Sequence, residues 1–210
     1  ILLLEKGEFI SYANCGLPYH LGKVIEDRDD LLVMSPEKFS AWLHVEVRTR
    51  HEVIAIDPAK KQVTAKTPDG ERVFSYDKLL LATGAVPNSS GNVSPGILPL
   101  WTIGDMDRIA DRLEGAKSVI VVGAGFVGLE TAENLRGRGL AVTIIQRGDH
   151  VLPTMDPEMS GALADELADM GITLKLGVNV SGYEEDADGI TAFLSDNSQV
   201  KADFVIESIG

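Results

Sequence analysis

A mixed α/β fold, with two strand-and-helix units and a small antiparallel sheet as an insertion, is predicted by three observations. A buried-type strand, Ser118-Val119-Ile120-Val121-Val122, runs into the string Gly123-Ala124-Gly125-Phe126-Val127-Gly128-Leu129-Glu130, then a helical pattern to about Arg138 and a second strand, Val142-Thr143-Ile144-Ile145. The chain opens on an apolar strand that finishes in an acid, Ile1-Leu2-Leu3-Leu4-Glu5. Between these regions, β-branched runs flank Thr67-Pro68-Asp69-Gly70, whose Asp-Gly pair favours a tight hairpin turn. The 210 residues exceed a usual single domain and allow two modest cores.

In chain order, Ser35-Pro36-Glu37-Lys38-Phe39 predicts a short helix ending near Leu43, because Ser is a good N-cap and Pro is tolerated at the first helical position. Val45-Glu46-Val47 and Glu52-Val53-Ile54-Ala55-Ile56-Asp57 read as strands leading to the hairpin. Lys78-Leu79-Leu80-Leu81-Ala82-Thr83-Gly84-Ala85 reads as an apolar strand entering small residues, where a backbone can approach another group closely. A polar, breaker-rich connection, Asn88 to Asn92 and Ser94-Pro95-Gly96, precedes a helix from about Asp105 to Leu113.

Downstream, Asp156-Pro157-Glu158 starts a helix with the core stripe Leu163, Leu167 and Met170. Ile172-Thr173-Leu174, Ile190-Thr191-Ala192-Phe193-Leu194 and Phe204-Val205-Ile206 read as strands, separated by a solvated acidic turn, Glu184-Glu185-Asp186.

The glycine string carries chemistry because of its setting. A strand before it, a helix opening within it and a strand after it turn a common pattern into a dinucleotide fingerprint. Gly123 serves the tight turn, Gly125 the approach of backbone to a pyrophosphate, and Gly128 the packing of helix on strand, while helix amides hold the phosphates. Glu5 ends the first strand where an acid accepts hydrogen bonds from an adenosine ribose. After the second strand of the glycine unit an NAD site usually presents a carboxylate, but here Gln146-Arg147 follows. An amide beside a guanidinium removes repulsion toward a 2′-phosphate and adds a charged donor, which leans toward NADPH; the alternative for Arg147 is a solvated loop charge.

Cys15 is the only cysteine, in Ser11-Tyr12-Ala13-Asn14-Cys15-Gly16-Leu17-Pro18-Tyr19-His20. A solitary sulfur closes no internal disulfide, so it works as a thiolate, a sulfenic acid or a mixed disulfide, or else it is a buried structural residue. Ser11 to Asn14 can cap a helix start, and unpaired helix amides stabilise a nearby thiolate. His20, five residues on, is either a thiolate partner or an ordinary surface histidine.

Composition narrows the class. A net charge of −13 with no basic stripe argues against nonspecific nucleic-acid binding, and no apolar run is long enough to cross a bilayer. A hydrophobic content of 44% fits a soluble globular protein. One cysteine and no cationic leader fit a reducing cytoplasm, and the four histidines have no metal-ligand spacing, so no metal is expected. The chain opens without Met inside a strand and is expected to stop inside one, so segments at both ends are expected to be missing.

The string Ser11 to Gly22 resembles the single-cysteine pyridine nucleotide-disulfide oxidoreductases, flavoproteins that include coenzyme A disulfide reductases, NADH oxidases and peroxidases, and persulfide reductases. The resemblance extends through Glu26-Asp27-Arg28, Ser35 to Phe39, Ala82-Thr83-Gly84, the Gly123 turn and Ile209-Gly210, and is strongest toward the coenzyme A disulfide reductases. It implies two Rossmann-like units: a partial FAD-binding domain over residues 1–102 carrying the redox cysteine, and an NAD(P)-binding domain over residues 103–210. It also implies FAD and NADPH or NADH as cofactors, Cys15 as the redox residue, and Ser11 and Asn14 as contacts to a coenzyme A substrate. Thr83 and Gly84 would lie against flavin and Val53 would offer a backbone contact to adenine. Phe126 would cover the flavin until nicotinamide displaces it, with Val127 beside it. Glu130 would reach the carboxamide or a nearby lysine, and Gly210 would lie near nicotinamide. The lost ends would carry the flavin pyrophosphate loop and, toward the C-terminus, the rest of the flavin site and a homodimerisation domain. Two other readings stay open: a peroxide- or oxygen-reducing enzyme cycling Cys15 through sulfenic acid, and a nucleotide-binding module whose redox function needs the absent segments.

Overall fold

The computed structural model describes residues 1–92 and 94–210. Its first half contains β1 (Leu2–Leu4), a 3-10 turn at Asn14–Gly16, α1 (Leu17–Leu21), a 3-10 turn at Arg28–Leu31, α2 (Pro36–Leu43), β2 (Glu46–Arg48), β3 (Glu52–Asp57), β4 (Gln62–Thr67) and β5 (Gly70–Ser75). There follow β6 (Ile97–Pro99), α3 (Ile103–Leu113), β7 (Ser118–Val122), α4 (Phe126–Gly137), β8 (Ala141–Gln146), α5 (Pro157–Asp169) and β9 (Thr173–Leu176). The chain finishes with β10 (Val180–Asp186), β11 (Gly189–Leu194), β12 (Gln199–Ala202) and β13 (Phe204–Glu207).

These elements form two compact units. One comprises Ile1–Ala13 and Arg28–Ala85, the other Asn14–Asp27 and Val86–Gly210. Compactness thus divides the chain after Ala85 and gives the cysteine segment to the second unit, whereas the division at residue 102 in the sequence follows the expected cofactors.

In the first unit, β1 pairs in parallel with β2, and β3, β4 and β5 form an antiparallel meander with β4 central and its Val63 and Ala65 buried. The Ser35 hydroxyl caps α2 by accepting from the Lys38 N–H at 3.3 Å, and His44, at φ 54°, ends it. Lys78–Ala85 forms no ladder among the described residues, which corrects the strand expected there: Leu80 is 87% exposed and Leu81 is also exposed. Apolar composition favours a strand only where a neighbour supplies hydrogen bonds.

The second unit is built on a five-stranded parallel sheet in the order β6-β13-β7-β8-β9. Ile120 and Val122 of β7, Ile145 and Val205 form a core with Ile190, Ala192 and Leu194 of β11 and Ala202, so the antiparallel sheet β10-β11-β12 covers one face. With side chains alternating along a strand, Val119 and Val121 point to the other face, where α4 lies against β7 and β8. The helix expected from about Asp105 starts at Ile103, because Thr102 and Asp105 close a capping box. Glu184, Glu185 and Asp186 are exposed as expected but belong to β10 rather than to a turn. Pairing with β11 and the Asp186 to Lys201 ion pair at 2.9 Å make a strand of this acidic run. The last strand ends at Glu207, so the chain stops in irregular structure three residues later.

Candidate active site

The glycine string folds as a strand, a turn and a helix. Gly123 has φ +102°, and a Cβ there would overlap the Ser208 carbonyl oxygen. A Cβ on Gly128 would overlap the Gly123 carbonyl oxygen, so both positions require glycine for close packing. Gly125 differs: nothing lies within 4 Å of an added Cβ, and it is the N-cap of α4 with no side-chain cap. Gly125, Phe126 and Val127 line an open cavity, so the start of α4 is accessible, the arrangement that receives an anion at a helix N-terminus. Ala124 is held from both sides, its N–H donating to Gln146 Oε1 at 3.3 Å and its carbonyl accepting from the Leu152 N–H at 2.7 Å.

A cavity of about 710 Å³ opens over this turn, lined by Gly123 to Val127, Gln146 and Arg147, and beyond β13 by Glu207 to Gly210. Its size and the glycine cradle fit a dinucleotide with its pyrophosphate over Gly125. Because Gln146 Oε1 accepts from Ala124, the amide presents its Nε2 on the other edge, beside Gly148. Arg147 is exposed and makes no ion pair among the described residues. This rim offers hydrogen-bond donors and a positive charge, and among the described residues no carboxylate lines the cavity beside Gln146 and Arg147.

Cys15 is exposed in the 3-10 turn before α1, which corrects the buried structural reading. The capping expected from Ser11 to Asn14 is also corrected: the N-cap of α1 is Gly16, without a side-chain hydrogen bond. Ser11 instead accepts the Val33 N–H at 3.2 Å through its carbonyl, and Tyr12 bridges Leu32, because that stretch is already engaged as an extended segment. His20 donates from Nδ1 to the Ile25 carbonyl at 2.9 Å, closing the end of α1. Close packing joins α1 to α4, the helix opened by the glycine turn. A Cβ on Gly22 would overlap the Asn134 side chain, and Arg138 Nη1 donates to the Leu21 carbonyl at 3.1 Å.

The family model of the pyridine nucleotide-disulphide oxidoreductases matches residues 1–210. The chain belongs to this family. It is 38% identical to a coenzyme A disulfide reductase of Staphylococcus haemolyticus, over 100% of this chain and 48% of that protein. Among solved structures it resembles reduced Bacillus anthracis CoADR-RHD, with TM-score 0.94 and 32% identity over 100% of this chain and 39% of that one. It also resembles an NAD-dependent persulfide reductase from A. fulgidus, with TM-score 0.93 and 29% identity, covering 100% and 40%. The chain spans about half the length of the curated relatives it matches.

The remaining residues singled out from sequence fall in both units. In the first unit, the Glu5 carboxylate accepts the Gly7 N–H at 2.6 Å, Val53 lies opposite Ala65 in the meander, and Thr83 and Gly84 are in exposed coil. In the second, Phe126 is 64% exposed on the cavity lining beside Val127, and Gly210 lines the cavity too. Glu130 sits on α4 and is absent from the lining; Asn14 is exposed next to Cys15.

Sequence reasoning missed Glu207, buried at the end of β13. Its Oε1 accepts the Tyr183 hydroxyl at 3.0 Å and its Oε2 the Ser90 N–H at 3.1 Å. An acid closing an otherwise apolar strand, Phe204-Val205-Ile206-Glu207, was the available signal. Gly22 and Asn134 carried no local signal, because their contact joins elements far apart in the chain.

Proposed function

We propose that the protein is a flavin-dependent NAD(P)H:disulfide oxidoreductase acting on coenzyme A disulfide, or the corresponding persulfide, through Cys15. The observation that carries this reading is that the exposed lone thiol sits in the turn leading into α1, which Gly22 and Arg138 pack against the helix that opens the dinucleotide turn. Similarity to coenzyme A disulfide reductases supports the substrate class. Residues 1–102 are assigned to the flavin-binding domain, with Glu5, Val53, Thr83 and Gly84 as its cofactor contacts, and residues 103–210 to the NAD(P)-binding domain.

Gly125 and the first amides of α4 receive the pyrophosphate, Gly123 and Gly128 keep turn and helix close, and Phe126 and Val127 line the nicotinamide approach. Gln146 Nε2 and Arg147 serve a 2′-phosphate, so NADPH is the preferred donor. Flavin, when bound, supplies the relay between a hydride and a sulfur pair. The Cys15 thiolate attacks one sulfur of the substrate, forming a mixed disulfide and expelling one coenzyme A thiolate; Ser11 and Asn14 contact the retained half. Two electrons then break the mixed disulfide and release the second thiol. Per turnover, one NAD(P)H and one proton enter and two thiols leave.

The test is Cys15→Ser in the full-length protein, assayed with coenzyme A disulfide, coenzyme A persulfide and hydrogen peroxide under both NADPH and NADH. Reduction of the coenzyme A substrates is expected to fall on the order of 10³-fold or more, as for other nucleophile removals, with NADPH binding retained. Wild-type kcat/KM is expected to be higher with NADPH. Undiminished disulfide turnover in the variant, or reduction of peroxide alone by the wild type, overturns the reading.

A further inference from the structure

The parallel sheet order β6-β13-β7-β8-β9 fixes which side of the cavity each half of a dinucleotide occupies. The pyrophosphate turn follows β7, Gln146 ends β8 and Arg147 follows it, so the adenosine half lies over β8 and the nicotinamide half falls on the β13 side. Glu207 is the last residue of β13, 5% exposed, and lines that part of the cavity with Pro87, Leu100 and Trp101. No Lys, Arg or His forms an ion pair with it among the described residues. Both of its contacts, the Tyr183 hydroxyl and the Ser90 N–H, donate into the carboxylate, which suits an anion. Burial, with the carboxylate beside it, pushes the Tyr183 phenol up, so the hydroxyl keeps its proton and remains a donor.

A negative charge held without a cation among apolar walls acts strongly on whatever charge enters beside it. The two states of a nicotinamide ring differ in that respect, the oxidised ring carrying a positive charge and the reduced ring none. We propose that Glu207 is a specificity-determining residue for redox state: its carboxylate, fixed by Tyr183 and Ser90, favours the cationic oxidised ring over the neutral reduced one. The inference rests on the assignment of this cavity to NAD(P).

Calorimetric titration of the full-length protein with NADP+ and with 1,4,5,6-tetrahydro-NADP, a neutral-ring analogue that cannot give up a hydride, tests it. The wild type is expected to bind NADP+ more tightly by at least about fivefold, Glu207→Gln to bring the ratio near one mainly by weakening NADP+, and Glu207→Asp to keep a preference. A wild type without the preference overturns the inference whether or not the variants fold. So do a Gln variant with the wild-type ratio and one that weakens both probes equally. Failure of the wild type to bind either probe overturns the cavity assignment and the inference with it, whereas binding with an unaltered ratio overturns the inference alone.

Discussion

Two stretches of this chain read alike and fold differently. Ser118–Gly125 and Lys78–Ala85 are both apolar runs that enter small residues at a glycine. The first becomes β7, paired on one side with β8 and on the other with β13, and Val119, Ile120 and Val121 are buried. The second forms no ladder among the described residues, and Leu80 and Leu81 face outward. Composition makes a segment eligible for a sheet, but hydrogen-bonding neighbours on both sides make it a central strand. The contrast locates stability in the first stretch, β7, and leaves little in the second.

The largest expected effect breaks that comparison most directly. Ile120→Ala removes a fully buried side chain from the core shared by the parallel and antiparallel sheets, and is expected to cost about 2–5 kcal/mol. Leu80→Ala, at an exposed position, is expected to stay within about 0.5 kcal/mol. Paired urea melts check both, and a Leu80 cost approaching that of Ile120 would mean that this segment packs in solution.

A smaller effect separates packing from binding inside the glycine turn. Gly128→Ala places a methyl against the Gly123 carbonyl and is expected to cost about 1–3 kcal/mol, because the neighbour is backbone and yields little. Gly125→Ala meets open space, so its melt should match the wild type within about 0.5 kcal/mol. NADPH affinity should nevertheless fall by about tenfold or more, since the methyl stands where the pyrophosphate approaches. Equal losses of stability in the two variants would remove the distinction between the glycines.

These differences also show what could be read in advance. The helix after Ser35 and strands β3 and β7 were legible because their signals are local: a cap three residues from its partner, a run of β-branched side chains, a glycine turn in its setting. The antiparallel cover of the second unit was only partly legible, because β10 and β12 carry acids, amides and lysine on their open face and hold as strands through β11. Glu207 was hidden for a related reason: its partners lie 24 and 117 residues away in sequence. At Cys15 the residue type was visible but its setting was not. Ser and Asn before a helix suggest caps, yet the chain bends through a 3-10 turn first and the cap falls to Gly16. At Gln146 the identity was legible, whereas the orientation of its amide depends on the Ala124 N–H of the preceding turn.

The smallest expected effect sharpens the account of how β7 is held at its start. One Asp203 oxygen accepts the Lys117 N–H at 2.8 Å, the Ser118 N–H at 2.7 Å and the Ser118 hydroxyl at 2.8 Å, tying the entry of β13 to that of β7. Desolvation pushes this carboxyl up, but the donors from Lys117 and Ser118 outweigh it and hold it below the usual carboxylate range. A depressed folded-state value contributes stability that is full above the unfolded value, near 3.9, and is lost as pH falls through the folded value. Asp203→Asn is therefore expected to lower Tm at pH 7, by no more than about 2–4 °C because the group is largely exposed to solvent. The gap should close as the pH falls below about 3. Thermal melts of variant and wild type at both pH values decide it: an offset that persists unchanged in acid would show that the tie acts through shape rather than charge.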